Sequence, residues 1–521
     1  MKKIIYKDQA RKKLLSGVNQ LSKAVVTTLG PLGQNVALDR PFGGPSVVHD
    51  GVTVAKDIAL KDSFENMGAQ LVKEAASKTN DVAGDGTTTA ILLAQQIVKE
   101  GIKNISAGAN GMELKKEIKE ATKKVVEELD KLKKTLKKED WVKVATISSQ
   151  NEEIGKKIVE AIEMAGEDGV VEVEDGKTSE LEIIHKKGME FDKGYASPYF
   201  VTNPDKMESE IDDPVILITD QKVSTLTDLV PFLEMAVKVT KEIVLLVDEI
   251  DDKALADVVV NKLRGAFNIL VVKAPEFGDK RKDVLGDIAI LTGATVISAD
   301  TGRKLDSVTI EDCGRAEKVW ADKDATRIIG GKGEQDNIDA RVASIRVEME
   351  KAGSEFEAGQ LQARLAKLVG GVAVISVGAA TEVELKETQE RVRDAVGATK
   401  AAIEEGIVPG GGVALLRASK AIEGYSLGAK ILKKALSQPI RHLARNSGIN
   451  AGEVMYRVLQ SEDVNYGLNV LTSEYGNMIT MGILDPVKVT KSALKNASSV
   501  ATMILTTEVL VTDEKEVENK A

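Results

Sequence analysis

The feature that most constrains the fold is a texture that changes twice along the chain. The first third reads as successive helices. From Leu114 the apolar positions Leu114, Ile118, Ala121, Val125, Leu129, Leu132 and Leu136 recur in steps of three and four, which puts one stripe on a long helix otherwise covered by Lys and Glu. Beyond Trp141 that period is lost. Short β-rich runs take over at Val170–Val173, Val215–Ile218, Ile243–Val247, Ile269–Val272 and Thr295–Ile297, with helical-period segments between several of them, the pattern of an α/β domain. An αα-hairpin is predicted next, with Ile338, Val342, Ile345 and Met349 on its first helix, a break near Gly353, and Leu361, Leu365 and Leu368 on its second. Gly370-Gly371 precedes a last apolar strand, Val372–Ile375, and helical texture returns from about Glu382. The order helical, α/β, helical is explained most simply by a middle domain inserted into a helical one built from both chain ends.

Length and composition narrow the function. At roughly 150 residues per domain, 521 residues suggest about three domains. Aromatic residues make up only 3%, so the cores must be built from Ala, Val, Ile and Leu, which disfavours an all-β sandwich. Acidic residues outnumber basic ones for a net charge of −10, which gives no global attraction to nucleic acid or an anionic membrane. A single cysteine, Cys313, and three scattered histidines, His49, His185 and His442, argue against disulfides, Cys-cluster metal sites and zinc chemistry. The basic start, Met1 to Asp8, meets charge again before a signal-peptide core could form, and no stretch approaches the ~20 apolar residues of a membrane span. A cytoplasmic location is expected.

Three glycine clusters could bring backbone N–H groups close to phosphate: Thr28-Leu29-Gly30-Pro31-Leu32-Gly33, Gly84-Asp85-Gly86-Thr87-Thr88-Thr89, and Pro409-Gly410-Gly411-Gly412. In the second, Gly84 and Gly86 permit a tight turn, Asp85 can hold Mg²⁺, and the three threonines offer hydroxyls and N–H groups at a helix start. No Gly-Lys-Ser/Thr follows, so it is not a Walker A loop. A glycine turn with a Thr-capped helix accounts for the same residues equally well. The first cluster also reads as a Pro-Gly turn, and the third as a helix end and loop. Asp50, Asp394 and Asp485 have ordinary readings as a turn residue, an exposed helix position and an N-cap.

Taken together, Thr28-Leu29-Gly30-Pro31, Asp50-Gly51-Val52, Gly84 to Thr89, Lys273-Ala274-Pro275 with Phe277-Gly278-Asp279, Val377 to Glu382, Gly410-Gly411-Gly412 and Glu474-Tyr475-Gly476-Asn477-Met478 resemble the GroEL-type group I chaperonins, in that family's order and spacing. The resemblance implies an equatorial domain from residues 1–131 and 405–521, an intermediate domain from 132–187 and 373–404, and an apical domain from 188–372, with hinges near Gly188 and Gly370-Gly371. It implies an ATPase in which Asp85 binds Mg²⁺, Thr87, Thr88 and Thr89 with Gly86 hold the phosphates, and Leu29, Gly30, Pro31 and Gly411 shape the nucleotide pocket. Asn469, Val470, Leu471 and Asp485 fall beside the adenosine, Asp50 and Asp394 act on the attacking water, and Thr28 with the carbonyl of His49 faces K⁺.

By the same resemblance, Tyr195, Tyr199, Phe200, Val230, Leu233, Leu255, Val259 and Val260 form an exposed apolar surface that captures non-native clients and a ten-kilodalton co-chaperonin lid. Charged pairs Lys193 with Glu382 and Glu152 with Arg391 would link domains or subunits, and the chains would form seven-membered rings, two of them stacked. The sequence departs from the family at Leu32, Gln34 and His49, where basic residues are usual, and at Val470 and Leu471, where small ones are. The family's Gly-Gly-Met tail is absent from residues 512–521. Two rival readings remain at this point, a small-molecule phosphotransferase and a binding protein without turnover.

Overall fold

The computed structural model describes residues 2–39, 45–166, 169–176, 181–204, 206–351, 354–379 and 381–513. It divides into two compact units, one of residues 1–159, 173–181 and 377–521 and another of residues 160–172 and 182–376. The segments expected to form an intermediate domain do not separate as a third unit. They are shared between these two.

In the first unit the long helices Lys7–Val26, Ser63–Ala83, Thr87–Ser106, Gly111–Leu132 and Val487–Thr506 pack on one another. Their shared core is aliphatic, with Leu14, Leu21, Val72, Ile91, Ile97, Ile118, Val125 and Leu494 all fully buried. Removing such side chains from water contributes about 1.5–3 kcal/mol each, which lets a core nearly free of aromatics hold. The stripe from Leu114 to Leu129 is the buried face of Gly111–Leu132. Leu136 lies beyond that helix, because Lys134 leaves it to bridge Ile407. The chain ends are joined: Lys2–Tyr6 pairs antiparallel with Val509–Asp513, Lys2 opposite Asp513. Residues 514–521, where the family's tail would be sought, lie outside the described residues. Helix Glu382–Glu405 packs along Lys138–Ser149.

The second unit is α/β. Strands Val215–Ile218, Glu242–Val247 and Asn268–Lys273 run parallel, joined through helices Val230–Val239 and Asp252–Leu263, and Gly314–Arg315 closes the sheet antiparallel. All four residues of Val215–Ile218 are buried, as a strand covered on both faces requires. A second, antiparallel sheet orders Gly188–Phe191, Thr326–Ile329, Lys318–Ala321 and Ser209–Asp212. Thr295–Ile297 is not a strand. Gly314–Arg315 takes that sheet edge, and Ile297 makes only an isolated bridge to Thr219. Leu226 belongs to a 3₁₀ turn capped by Thr225 and Asp228 rather than to the helix after it. The hairpin helices are Gln335–Glu350 and Glu355–Gly370, with the predicted break at residues 352–353 outside the described residues. They are tied to helix Asp279–Thr292 by Asp287, which is 1% exposed and accepts from Arg341 Nε at 2.7 Å and Arg364 Nε at 2.9 Å. At the expected hinge Gly371 has φ +61°, and a Cβ there would sit 2.7 Å from the Lys186 carbonyl. Among the described residues no helix is long and apolar enough to cross a membrane.

Candidate functional site

In the first unit the three glycine clusters are positioned by the ends of buried helices. Helix Lys7–Val26 runs out at Thr28, whose hydroxyl donates to the Val25 carbonyl at 2.8 Å. The chain then turns tightly, Gln34 N donating to Thr27 O at 2.8 Å and Gly33 N to Gly30 O at 2.9 Å. Asn446 holds this loop from beneath by donating to Leu29 O at 2.9 Å. Gly86, left-handed at φ +86°, is the cap residue of helix Thr87–Ser106, so no side chain occupies the first-turn N–H groups of Thr87, Thr88 and Thr89. Such a helix start favours an anion.

Asp50 caps helix Gly51–Asp57, accepting from Val52 N at 3.0 Å and Thr53 N at 2.7 Å. It is an N-cap rather than a turn residue alone. The next residue, Gly51, lies so close to Thr88 that a Cβ on it would meet the Thr88 hydroxyl at 2.1 Å. The Asp50 turn and the second cluster therefore share a wall.

Asp485 is not an N-cap. It sits in strand Leu484–Pro486, paired with Val408 of Ile407–Pro409, and the helix begins only at Val487. That pairing carries the third cluster to it, because a Cβ on Gly410 would lie 2.9 Å from Asp485 Oδ1. Gly411, at φ +66°, faces Met478, which also packs against Gly467 of the Tyr466–Asn469 strand. Asn469 ends that strand, and its side chain accepts from Leu471 N at 3.0 Å. Val470 packs on the neighbouring core, and Leu471 is 63% exposed.

Asp394 is not on an exposed helix face. Three residues further along its helix, Gly397 packs against Gly84, with a Cβ on Gly397 falling 2.8 Å from the Gly84 Cα. Only two glycines allow that approach. Asp394 is thereby brought within electrostatic reach of Asp50 and Asp85. Burial first, then those two carboxylates, push its pKa well above the ordinary carboxylate range. Burial, and after it Asp50, also raises Asp85, whose carboxylate accepts from the Gly86 N–H and from Ser148. Burial with Asp85 nearby pushes Asp485 up to about 7. Asp85, Asp394 and Asp485 are each half-buried residues. Clustered carboxylates that raise one another's pKa mark a site built for a cation or for proton transfer.

Residues 21–230 and 227–515 match the TCP-1/cpn60 chaperonin family. The chain belongs to that family. Among solved structures, this chaperonin is similar to the chaperonin gp146 from the bacteriophage EL 2 (Pseudomonas aeruginosa), crystallised in presence of ATP-BeFx. The TM-score is 0.67 at 22% identity, over 98% of this chain and 99% of that one. At that identity the likeness is one of fold, and it accords with the multidomain α and α/β architecture described above.

The chaperonin's second unit divides the eight residues expected on an apolar surface. Tyr199 is 67% exposed, Val260 42% and Val230 37%, whereas Phe200, Leu233 and Val259 are 0%, 6% and 8% exposed. Those last three are core residues: the helices Val230–Val239 and Asp252–Leu263 turn Leu233 and Val259 onto the parallel sheet, and Phe200, at the end of the 3₁₀ turn Pro198–Phe200, packs into the same core. Tyr195 and Leu255 pack against the same core, partly buried. Two further apolar side chains, outside the eight expected, are exposed: Leu263 at 70%, one turn beyond Val260, and Phe277 at 74%. Leu263 stands in helical step with Leu255 and Val259, a spacing that by itself reads as one buried stripe. The charged residues expected to pair across domains or subunits have local partners: Glu382 with Lys386, Glu152 with Lys156, Arg391 with Glu387, and Lys193 above the Phe277 ring. At the departures, Leu32 is 42% exposed and His49 Nδ1 lies 3.1 Å from Asn35 Oδ1.

Proposed function

We propose that this chaperonin binds and hydrolyses ATP in its first unit and couples the cycle to folding of non-native proteins held on its second. The observation that carries the reading is the convergence of Asp50, Asp85, Asp394 and Asp485 on the start of helix Thr87–Ser106. In this reading the phosphates lie on Thr87, Thr88 and Thr89 with Gly86, and Leu29, Gly30, Pro31 and Gly411 enclose the nucleotide. Asp485, Asn469, Val470 and Leu471 border the adenosine.

No group of three or more His, Cys, Asp or Glu among the described residues is arranged to hold a metal by itself. That fits Mg²⁺, which binds through one or two carboxylates completed by phosphate oxygens, and Asp85 is the carboxylate at the cradle. When bound, Mg²⁺ neutralises charge on those oxygens. Thr28 spends its proton on Val25 O and keeps lone pairs that, with the carbonyl of His49, suit K⁺. Asp394, its pKa raised by burial and then by its neighbours, is fitted to take a proton from the attacking water, and Asp50 is oriented by its helix cap to help position that water.

The first unit then contains the equatorial domain, 1–131 and 405–521. The intermediate segments are 132–187 and 373–404, and the apical domain is 188–372. Tyr199, Val230 and Val260 are the exposed members of the capture surface for clients and a ten-kilodalton lid, with seven-membered rings, two stacked, as the assembly and the cytoplasm as the location. The test is Asp394→Ala. Nucleotide binding by calorimetry should persist while phosphate release falls about 10²–10⁴-fold. Lost binding, or unchanged release, overturns the assignment.

A further inference from the structure

Behind the nucleotide loops, helices Lys7–Val26, Thr87–Ser106, Leu427–Leu436 and Gln438–Asn446 line an open recess of about 660 Å³. All four belong to the first unit. Its walls are strongly basic: Lys23 comes from the first helix, Lys99 from the second, Lys434 from the third, and Arg441 and Arg445 from the fourth. The only carboxylate in the wall is Glu100, and Lys434 already occupies it at 2.7 Å, with Gln96 donating to the same oxygen at 3.2 Å. Among the described residues no carboxylate pairs with Lys23, Lys99, Arg441 or Arg445. The Arg441 Nε is buried without a hydrogen-bond partner.

Lys23, Lys99 and Arg445 are exposed and Arg441 half-buried, so in a chain of net charge −10 the recess presents a local positive field that attracts an anion. We propose that this cavity binds a small, multiply charged phosphate anion, distinct from the nucleotide. Planar guanidinium forks and lysine ammoniums together match the tetrahedral oxygens of phosphate, and the volume admits a short phosphate chain. His442 adds a signature. Burial first, then Arg445 and Lys99, hold it neutral, at a pKa of about 4, while Lys23, Lys434 and Arg441 also line the recess and Glu100 is committed to Lys434. An anion between these cations offsets the part of the shift that the cations cause and not the larger part that burial causes. Binding should therefore raise the His442 pKa from about 4, and proton uptake onto it is read at about pH 5.

One further consequence rests on the nucleotide reading. The helix that supplies Arg441, His442 and Arg445 to the cavity puts Leu443 2.3 Å from where a Cβ on Gly30 would stand and Ile440 N 2.6 Å from that of Gly412. Its Asn446 holds Leu29 O. An anion that orders this helix acts on two of the nucleotide loops, and any coupling in affinity must be reciprocal.

The experiment is calorimetric titration of inorganic tripolyphosphate into the full chain saturated with ADP and Mg²⁺, in two buffers of different ionisation enthalpy. We expect one site per chain, proton uptake that disappears in His442→Gln, and affinity reduced at least about tenfold in Lys99→Gln with Arg445→Gln. The same double variant without ADP should retain nucleotide binding. That keeps failure of the cavity distinguishable from failure of the nucleotide site. Binding unaffected by the double variant, or abolished by ADP, overturns the proposal. So does a wild-type chain that takes up no tripolyphosphate but whose basic wall is protected by association with a second copy, since the occupant is then that copy's acidic surface.

Discussion

Replacing Leu233 with Glu separates a capture surface from a core. If residue 233 faces clients, as the family resemblance implies, the folded protein tolerates the charge. The structure puts Leu233 at 6% exposure, beside Phe232 and Leu229 and against the parallel sheet. Truncating such a leucine costs about 2–5 kcal/mol, and an unpartnered carboxyl in its place adds a desolvation penalty of at least about 1–3 kcal/mol. For a unit of about 200 residues, each kcal/mol lowers the melting temperature by roughly 2–4 °C. Leu233→Glu should therefore lower the transition of this unit by about 6 °C or more, in scanning calorimetry. Leu263→Ser, at a side chain 70% exposed, removes little buried area and should cost less than about 1 kcal/mol. It should leave the transition near that of the wild type while weakening suppression of client aggregation, the outcome the resemblance assigns to Leu233. A Leu233→Glu protein that melts within about 2 °C of wild type would refute the burial argument.

Asp485 should govern part of the pH dependence of stability. Burial raises its pKa from the ordinary 3.8 to about 7 in the fold, so the folded state binds the extra proton, and its contribution falls as pH rises from about 4 to 7. Asp485→Asn should be more stable than wild type above pH 7, by no more than about 4 kcal/mol and less where water reaches it, and nearly equal at pH 4. Urea titrations at both pH values check this, and a pH-independent difference contradicts it. Asp287→Ala leaves Arg341 and Arg364 with only the half-exposed Asp283 as a shared carboxylate and should destabilise the second unit by about 1–3 kcal/mol. A calorimetric shift of under about 1 kcal/mol would count against it. Gly397→Val drives a side chain into the Gly84 backbone. It should lower phosphate release without unfolding the helix, and wild-type turnover would show that the two segments separate freely.

Much of the fold could be read before the structure because its signals are local. The stripe of Gly111–Leu132 and the all-apolar runs Val215–Ile218 and Ile269–Val272 carry their period in consecutive residues. Thr295–Ile297 misled because a β-branched run pairs only if an edge is free, and a segment near residue 314 had taken it. The site was legible only as separate loops. Asp394 looked like an exposed helix position because its surroundings are supplied by Gly84 and Asp50, more than three hundred residues away. Ser148, which reaches Asp85, and Gly397 had no distinguishing neighbours in sequence. On the apolar surface, helical period identified the right helices but not which turn faces water. Val259 and Val260 are adjacent in sequence and opposite in burial.

The position of Asp394 along the chain bears on how the proposed ATP chemistry could reach the rest of the protein. Strand Val372–Val377 is the last element before helix Glu382–Glu405, and only residues 378–381 join them. That helix carries Asp394 and, one turn on, the Gly397 that rests on Gly84 of the phosphate turn. A change of charge at the carboxylate cluster alters the repulsion that now raises Asp85, Asp394 and Asp485 together. The response falls on whichever of these is borne by an element able to shift. Asp50 is fixed by its cap, Asp85 by the turn before a buried helix, and Asp485 by a paired strand. The Glu382–Glu405 helix meets the phosphate turn through the Gly397–Gly84 contact and buries Ala401 against Ala83 and Val489 and Ala402 against Val144, Ile407 and Leu484, so a shift of the helix must carry or break those contacts. Its covalent neighbour is the strand through which the chain returns from the second unit. A substitution that locks Gly397 to Gly84 should therefore uncouple client release from nucleotide while leaving nucleotide affinity in place.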